Sequence, residues 1–299
     1  MTEAATTVRI RALMPALARA EQRVAKRVLD DPASATVSTI STLAAVCGTS
    51  ETTVVRFCRA VGFTGYRALR LALATELGRA EGGAGAARAV SSDIGPGDDL
   101  DQVVEKIAFA DARAVEETAQ QLDLAALHLV IEAMVSARRI DIYGVGASAF
   151  VGLDLQQKLH RIGQVAFAWV DPHVALTSAA LLGPDDVAVG VSHSGATQDT
   201  VDALAQAQAN GVTTIAITNF PRSALASIAD HVLTTAARET TFRSGATASR
   251  LAQLTVVDCI FVGVAQRTYA DSQHALQVTY DAVKGRRLER PADIQELRP

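Results

Sequence analysis

Two short loops in the second half of the chain carry the residues best suited to chemistry. GVGAS at 144–148 and SHSGAT at 192–197 each follow a short apolar run. Backbone N–H groups of a glycine-rich turn that leads into a helix favour an anion, and hydroxyl groups add donors without adding a charge. Ser192, Ser194 and Thr197 supply such hydroxyls. We interpret the second loop as a cradle for a phosphate group; the alternative is a polar turn with capping hydroxyls.

The segments around these loops alternate between two types. Short apolar runs rich in β-branched residues, separated by helical segments, predict a parallel sheet with helices on both faces. The predicted strands are 140–143, 165–170, 187–191, 213–218 and 231–234. The expected fold class is therefore α/β, a three-layer α/β/α domain with a parallel five-stranded sheet, closed by one long helix over about 246–268. Both loops follow strand ends, where ligands bind in open parallel sheets.

The first 80 residues predict a separate, all-helical domain. Apolar residues recur at helical spacing in about four short segments. This part carries 11 Lys and Arg against 6 Asp and Glu, whereas the whole chain has a net charge of −4. A basic head on an acidic body favours binding of a polyanion, although chance variation is an alternative explanation of the asymmetry.

A stretch rich in Gly, Ala, Ser and Asp, 78–100, has no sustained apolar period and predicts a flexible linker. The expected division is a helical domain at 1–77, the linker at 78–100, the α/β domain at 101–285 and a C-terminal tail at 286–299.

The segment LAAVCGTSETTVVRFCRAVGF at 43–63 has the spacing of a helix-turn-helix. Gly48 permits the tight turn, and Ser50 is a good N-cap for a second helix that begins at Glu51. Arginines and hydroxyls on the outer face of that helix suit a major groove, although Glu51 fits poorly beside phosphates. The expected DNA-binding residues are Ser50, Thr52, Thr53, Arg56, Arg59, Tyr66 and Arg67. The alternative is an ordinary helical hairpin with a solvated polar face.

The stretch TSETTVVRFCRAVGFTGYRALRLALA closely resembles the N-terminal helix-turn-helix of the RpiR family of bacterial transcriptional regulators. IYGVGASAF, VDPHVALTSAALLGPDDVAVGVSHSGATQDT and ITNFPRSALASIADHVL resemble the sugar isomerase (SIS) domain that these regulators carry. The resemblances cover most of residues 10–270. They imply a regulator of sugar metabolism genes whose affinity for operator DNA is modulated by a bound phosphosugar.

The resemblance also implies where the phosphosugar binds. Ser192, Ser194 and Thr197 are expected to hold its phosphate, and Ser148 is expected close to the ligand. The complete expected ligand-binding set is Gly146, Ser148, Ser192, His193, Ser194, Gly195, Thr197 and Glu239.

Catalysis is not expected at this site. Isomerisation needs a base that moves a proton between adjacent carbons, and in SIS isomerases a glutamate near the position of Glu239 does this. The local pattern here resembles the regulators instead, and no lysine completes a catalytic set, so Glu239 and Arg243 are expected to bind sugar hydroxyls. Two alternatives stay open: a phosphosugar isomerase with an appended helical domain, and a DNA-binding scaffold whose SIS domain only forms oligomers.

No cofactor or metal is expected. GVGAS matches only half of a dinucleotide fingerprint, and the six histidines and three cysteines show no metal-ligand spacing. The longest apolar stretch, 254–265, contains Asp258 and is too short for a bilayer, and no secretory signal is visible, so we expect a cytoplasmic protein. One recognition helix covers too few base pairs for specificity, which predicts a homodimer or homotetramer.

Overall fold

The computed structural model describes residues 6–82, 94–239 and 248–286. Its first part is an all-helical head built around one apolar cluster, in which Ile10, Val24, Phe57, Leu69 and Leu73 are fully buried. The helices of the head are α1 (Thr6–Leu13), α2 (Arg19–Asp30), α3 (Pro32–Val37), α4 (Ile40–Val46), α5 (Glu51–Ala60) and α6 (Tyr66–Gly82).

The head has more helices than the four or so expected from its sequence. Asp31 and Pro32 mark the end of α2, but they also start α3, because the Asp31 carboxylate accepts a hydrogen bond from the backbone N–H of Ser34 and the proline occupies the first helical turn. The other addition is α1, which is only eight residues long.

Helix α6 continues past residue 77 to Gly82 and so enters the predicted linker. Residues 83–93 lie outside the described part of the chain. Two helices then precede the first strand of the sheet, α7 (Leu100–Gln121) and α8 (Leu124–Ser136). Asp99 caps α7 by accepting a hydrogen bond from the backbone N–H of Gln102. The division into domains stays a prediction.

The α/β fold class is confirmed by a five-stranded, all-parallel sheet in the order β2-β1-β3-β4-β5. Its strands are β1 (Arg139–Gly144), β2 (Ala166–Trp169), β3 (Asp186–Val191), β4 (Thr213–Thr218) and β5 (His231–Thr234). The strand order reverses between β1 and β3, so this is the point of the sheet at which a ligand crevice is expected.

Helices cover both faces of the sheet. One apolar cluster joins the sheet to α8, to α9 (Ala147–Arg161) and to α13 (Ala248–Arg267), with Leu155 and Ile260 fully buried. The opposite cluster joins it to α10 (Pro172–Ala179), α11 (Gln198–Ala209) and α12 (Ala224–Ile228). Over the three described ranges, no helix is long and apolar enough to cross a membrane.

One closing helix was expected over about 246–268, and that expectation is incomplete. After α13 ends at Arg267, the backbone leaves helical geometry at Thr268 and a further helix, α14 (Tyr269–Lys284), follows. The Thr268 hydroxyl donates to the carbonyl of Val264, which stabilises the break. Ser272 is the only residue that α14 buries. A helix that packs so little against the core needs no strong apolar period, and its sequence therefore gave little signal. Residues 287–299, most of the predicted tail, lie outside the described part.

A buried charge network surrounds Asp141 on β1, an inner strand of the sheet. The Asp141 carboxylate on β1 is fully buried and accepts two hydrogen bonds from the Arg139 guanidinium, at 2.7 and 2.9 Å. It also accepts from the Ser178 hydroxyl on α10 at 2.6 Å and from the Trp169 indole N–H on β2 at 2.7 Å. A charge satisfied in this way ties β1, β2 and α10 together.

Candidate functional site

The two candidate loops start side by side. Gly144, the last residue of β1, is the register partner of Val191, the last residue of β3. Loop 144–148 leads directly into α9 and loop 192–197 into α11, so the N-termini of both helices face the crevice where strand order reverses. The structure therefore brings the two predicted loops together.

Loop 192–197 is held in shape by its own hydroxyls. The Ser192 oxygen is buried, lies 3.0 Å from the Thr197 oxygen and accepts a hydrogen bond from the backbone N–H of Gly195. The exposed Ser194 oxygen accepts from the backbone N–H of Ala196. Thr197 occupies the N-cap position of α11, but its side chain makes no capping hydrogen bond. Of the N–H groups in the first turn, that of Thr200 donates to the Thr197 carbonyl at 3.1 Å, whereas those of Gln198 and Asp199 have no acceptor among the described residues.

Gly195 is required by the path of this loop. Its φ is +61°, and a Cβ atom there would overlap the Ser223 side chain and lie 2.8 Å from the Thr218 hydroxyl oxygen. The backbone N–H of Leu225 donates to the carbonyl of Gly195 at 2.9 Å, and that of Asn219 donates to the carbonyl of His193 at 3.0 Å. We call these two bonds the loop clasp. They fasten loop 192–197 to the segment after β4.

Loop 144–148 is equally tight. Gly146 has a φ of +61° at the N-cap of α9, and a Cβ on Gly144 would lie 2.9 Å from the Ser148 carbonyl. The Ser148 hydroxyl lies within 3.5 Å of the side-chain amide of Gln253, which is buried on α13. Gln253 was missed by the sequence analysis, because it lies 105 residues from Ser148 in an ordinary helical pattern.

His193 and Glu239 complete the neighbourhood of the second loop. Burial lowers the pKa of His193 below its usual range, against the opposing charge of the Glu239 carboxylate, so the ring is neutral at pH 7. Its edge packs on Phe220, and its buried Nδ1 has no hydrogen-bond partner within the described residues. Glu239 accepts a hydrogen bond from the Ser249 hydroxyl at 2.7 Å. Arg243 lies outside the described residues.

No metal site is visible in the parts of the chain that the structure describes, where no three His, Cys, Asp or Glu side chains converge. The candidate site is therefore a crevice of hydroxyls, amides and helix N-termini. Such a set can hold an anion through hydrogen bonds without a metal or a buried cation.

The helix-turn-helix geometry agrees with the sequence analysis. Gly48 has a φ of +58°, and α5 begins at Glu51, where the Ser50 hydroxyl oxygen caps it by accepting from the backbone N–H of Thr53. Ala44, on α4, is buried in the core of the head. Glu51, which fitted poorly beside phosphates, accepts a hydrogen bond from the Ser41 hydroxyl on α4, so it braces the two helices against each other.

The predicted DNA-binding residues fall into two groups. Thr52, Arg59 and Arg67 are exposed, and within the described ranges neither arginine has a side-chain partner. Arg56 is exposed but forms an ion pair of 3.1 Å with Glu21 on α2, and Thr53 is partly buried.

Tyr66 does not belong on this surface, and its inclusion is corrected. Its side chain is part of the core of the head, and its hydroxyl donates to the carbonyls of Ala35 and Ser38, at 3.0 and 3.2 Å. In a sequence, a tyrosine beside two arginines suggests a nucleic-acid-binding surface. In this structure, the Tyr66 side chain instead joins α6 to α3.

Arg23 is a positioning residue that the sequence analysis missed. Its guanidinium on α2 donates to the carbonyls of Cys47 and Gly48 at 3.1 Å each, and so pins the turn between α4 and α5. It is one of several arginines in a basic head, and no local pattern distinguishes it from the others.

The comparisons with known proteins agree with this geometry. Residues 5–80 match the helix-turn-helix domain of the rpiR family, and residues 133–263 match the SIS domain. An HTH-type transcriptional regulator of Caldanaerobacter subterraneus is 37% identical over 93% of this chain and 97% of its own. A second such regulator, YbbH of Bacillus subtilis, is 31% identical over 94% of this chain and 97% of its own.

The chain belongs to the RpiR family of helix-turn-helix transcriptional regulators. Among solved structures, it is similar to the NanR protein of Vibrio vulnificus complexed with ManNAc-6P, at 29% identity and a TM-score of 0.60, covering 95% of this chain and 100% of that one. The sugar isomerase domain of an RpiR transcription factor from Sphaerobacter thermophilus is also 29% identical, with a TM-score of 0.56, over 60% of this chain and 98% of that one.

The close packing of the loop clasp in this RpiR regulator predicts that the Gly195→Ala substitution destabilises the folded protein. We expect the free energy of unfolding to fall by more than about 1 kcal/mol, because the new Cβ meets Ser223 and the backbone conformation is strained. Chemical denaturation measures the change. Gly183→Ala is the matched control, since Gly183 has ordinary φ and open space around its Cβ position. Equal stability of the two variants would contradict the role given to Gly195.

Proposed function

We propose that this RpiR regulator binds operator DNA through α5 and senses a phosphosugar in the crevice between loops 144–148 and 192–197. The observation that carries the proposal is the uncapped N-terminus of α11 beside a ring of hydroxyls, at the reversal of strand order. The likeness to NanR, whose structure contains ManNAc-6P, supports the same ligand class for this chain.

Loop 192–197 holds the phosphate of the ligand. Because the Ser194 oxygen accepts the N–H of Ala196, its own proton is left to donate into the crevice. The Ser192 and Thr197 oxygens lie 3.0 Å apart, so one of these two hydroxyls donates to the other. The hydroxyl that accepts keeps its own proton to donate to the ligand. The first N–H groups of α11 and its dipole add to the attraction.

The sugar part of the ligand extends toward the other side of the crevice. Gly146 lets the backbone approach closely, and Ser148 together with the amide of Gln253 offers both donors and acceptors for sugar hydroxyls. Glu239 offers a carboxylate near His193. A neutral His193 gives hydrogen bonds without adding a charge, so the phosphate remains the charged group of the complex.

The DNA surface is formed by exposed side chains of α5 and the start of α6. Arg59 and Thr52 face the groove, while Arg67 reaches the phosphate backbone. Arg56 contacts DNA with the part of its guanidinium that Glu21 leaves accessible. Two subunits present two recognition helices to a pseudo-palindromic operator, as a homodimer or a homotetramer.

The site senses its ligand and does not convert it. Isomerisation needs a base poised between two carbons, and the carboxylate of Glu239 is instead bonded to Ser249. His193 packs on Phe220, and its buried Nδ1 makes no hydrogen bond within the described residues.

The DNA surface is tested by Arg59→Ala. We expect operator binding to weaken by about 1–3 kcal/mol with relaxed base preference, because an exposed guanidinium that reads a base edge is lost. Fluorescence anisotropy with labelled operator measures the affinity. Arg161→Ala removes the same charge from an exposed position at the end of α9 and should leave the affinity nearly unchanged. Equal losses in both variants would mean that Arg59 contributes only general charge.

The ligand site is tested by the double substitution Ser194→Ala and Thr197→Ala. It should abolish the effect of sugar phosphates on operator affinity while DNA binding without ligand is retained, since the phosphate loses two hydroxyl donors. The matched control is Thr177→Ala with Ser227→Ala, which removes exposed hydroxyls bonded only to their own helices. A normal ligand response in the first variant would place the sensor site elsewhere.

The absence of catalysis is tested by incubating the purified protein with hexose and pentose monophosphates. We expect no more conversion than in buffer alone. Chromatography of the sugar phosphates measures the conversion. Steady conversion that Glu239→Gln abolishes, and that Glu116→Gln on the exposed side of α7 leaves intact, would favour the isomerase alternative.

A further inference from the structure

A continuous set of hydrogen bonds leads away from loop 192–197 toward the head. Its first step is Asn219, which is 3% exposed and follows β4. The backbone N–H of Asn219 donates to the carbonyl of His193, and the Thr218 hydroxyl donates to the same carbonyl at 3.2 Å. A shift of the loop on ligand binding therefore moves an acceptor that Asn219 must follow or lose.

The second step joins Asn219 to the segment after β5. Its side-chain oxygen accepts from the backbone N–H of Ala237 at 2.7 Å and from the Thr235 hydroxyl at 3.2 Å. Both bonds are buried, and each residue belongs to the stretch that ends at Glu239 beside the crevice. The two sides of the candidate site, loop 192–197 and Glu239, thus meet through one amide side chain.

The third step reaches α7. The backbone N–H of Ala236 donates to the fully buried Thr118 hydroxyl oxygen at 2.9 Å. Around it, Ala114 of α7, Ala237 and Ala252 of α13 form a small buried cluster of their own. Alanine side chains cannot adapt by changing rotamer, so a displacement of segment 235–239 is passed to the α7 backbone.

The last step crosses from the body to the head. Glu117, next to Thr118, accepts a hydrogen bond from the Arg11 guanidinium of α1 at 2.8 Å, and the two side chains are 10% and 17% exposed. The other oxygen of Glu117 lies 3.1 Å from Arg113, one turn earlier on α7. If the mostly buried Arg11 pair is broken, Glu117 thus still has a second cation beside it.

A second contact between head and body starts from the same segment as Asn219. The Arg222 guanidinium lies 3.5 Å from the carbonyl of Ala60, the last residue of α5. A cation at the C-terminus of a helix is favourable, although the distance is at the outer limit for a hydrogen bond. Arg222 thus adjoins the segment that the loop clasp fastens, whereas Glu117 is connected to the ligand loop only through Thr118 and Asn219.

We propose that these bonds form a relay that carries ligand binding at loop 192–197 to the DNA-binding head. Asn219 and Thr118 are its internal positioning residues, and the Glu117–Arg11 ion pair is the joint that the ligand opens or closes. The inference rests on the proposed function, because it requires a sugar phosphate in the crevice and operator DNA on the head.

Glu117 can serve as the joint because its carboxylate pairs with two cations, Arg11 of the head and Arg113 of α7. When the head moves, the carboxylate keeps its ion pair with Arg113, which offsets part of the cost of breaking the mostly buried Arg11 pair. Ligand and DNA then each bias one equilibrium of head position, which is what reciprocal coupling between two sites requires.

The relay is tested with Glu117→Gln in the full-length protein. The probe ligand is an equimolar mixture of hexose and pentose monophosphates, and the DNA is the set of genomic fragments that the unaltered protein selects. The measured quantity is the coupling ratio, the operator dissociation constant with the mixture divided by that without it. We expect Glu117→Gln to move this ratio toward one by about 2–30-fold, the range for substitutions along a coupling path. Calorimetry should show ligand affinity without DNA nearly unchanged.

Glu105→Gln is the matched control, because it removes the same charge from an exposed position on the same helix. Arg11→Gln opens the joint from the other side, and the double variant Arg11→Gln/Glu117→Gln should equal either single variant. An unchanged ratio in Glu117→Gln, with normal coupling in the unaltered protein, overturns the relay and leaves the proposed function intact. If the unaltered protein selects no DNA or shows no response to the mixture, the proposed function itself fails, and the relay with it.

Discussion

The loop clasp is the constraint on which the rest of the α/β domain depends. Two backbone hydrogen bonds, from Asn219 and Leu225 to the carbonyls of His193 and Gly195, hold loop 192–197 against the segment after β4. The close approach leaves no room for a Cβ at Gly195. Since the loop is fastened from one side, its hydroxyls and the N-terminus of α11 face the crevice from the other. The candidate anion site is therefore a product of packing between two loops rather than of one motif.

The proposed charge arrangement follows from this construction. The Arg139 guanidinium on β1 is bonded to the buried Asp141 carboxylate. His193 is kept neutral by burial. An anion would thus be held by N–H and O–H dipoles, which are fixed before the ligand arrives and need little reorganisation. Such a site discriminates between anions by shape and by hydrogen bonding.

The sequence predicted what depends on local periodicity and turn chemistry. The five strands, the Gly48 turn and the Ser50 cap were confirmed because β-branched runs, a positive φ and a capping hydroxyl each leave a short-range signal. Gln253 and Arg23 left none, since their partners are set by tertiary contacts. Tyr66 shows the converse error: its neighbours suggested a DNA surface, but the direction of its side chain is decided by the core. Helix α14 was missed because helices were predicted from apolar residues at helical spacing, and a largely exposed helix needs no such apolar face.

Rigidity within the head limits how any ligand could control it. Arg23 pins the turn between α4 and α5, the Ser41–Glu51 bond braces the same two helices, and Arg56 is tied to α2 through Glu21. A head fastened at three points does not change the shape of its recognition helix without losing several of these bonds at once. In the proposed regulation, ligand binding acts on the position of the head as a unit, in the manner of rigid-body transitions between packed arrangements. In the proposed relay, the mostly buried Glu117–Arg11 ion pair lies where control of such a head has to be exerted, at the contact between α7 and α1.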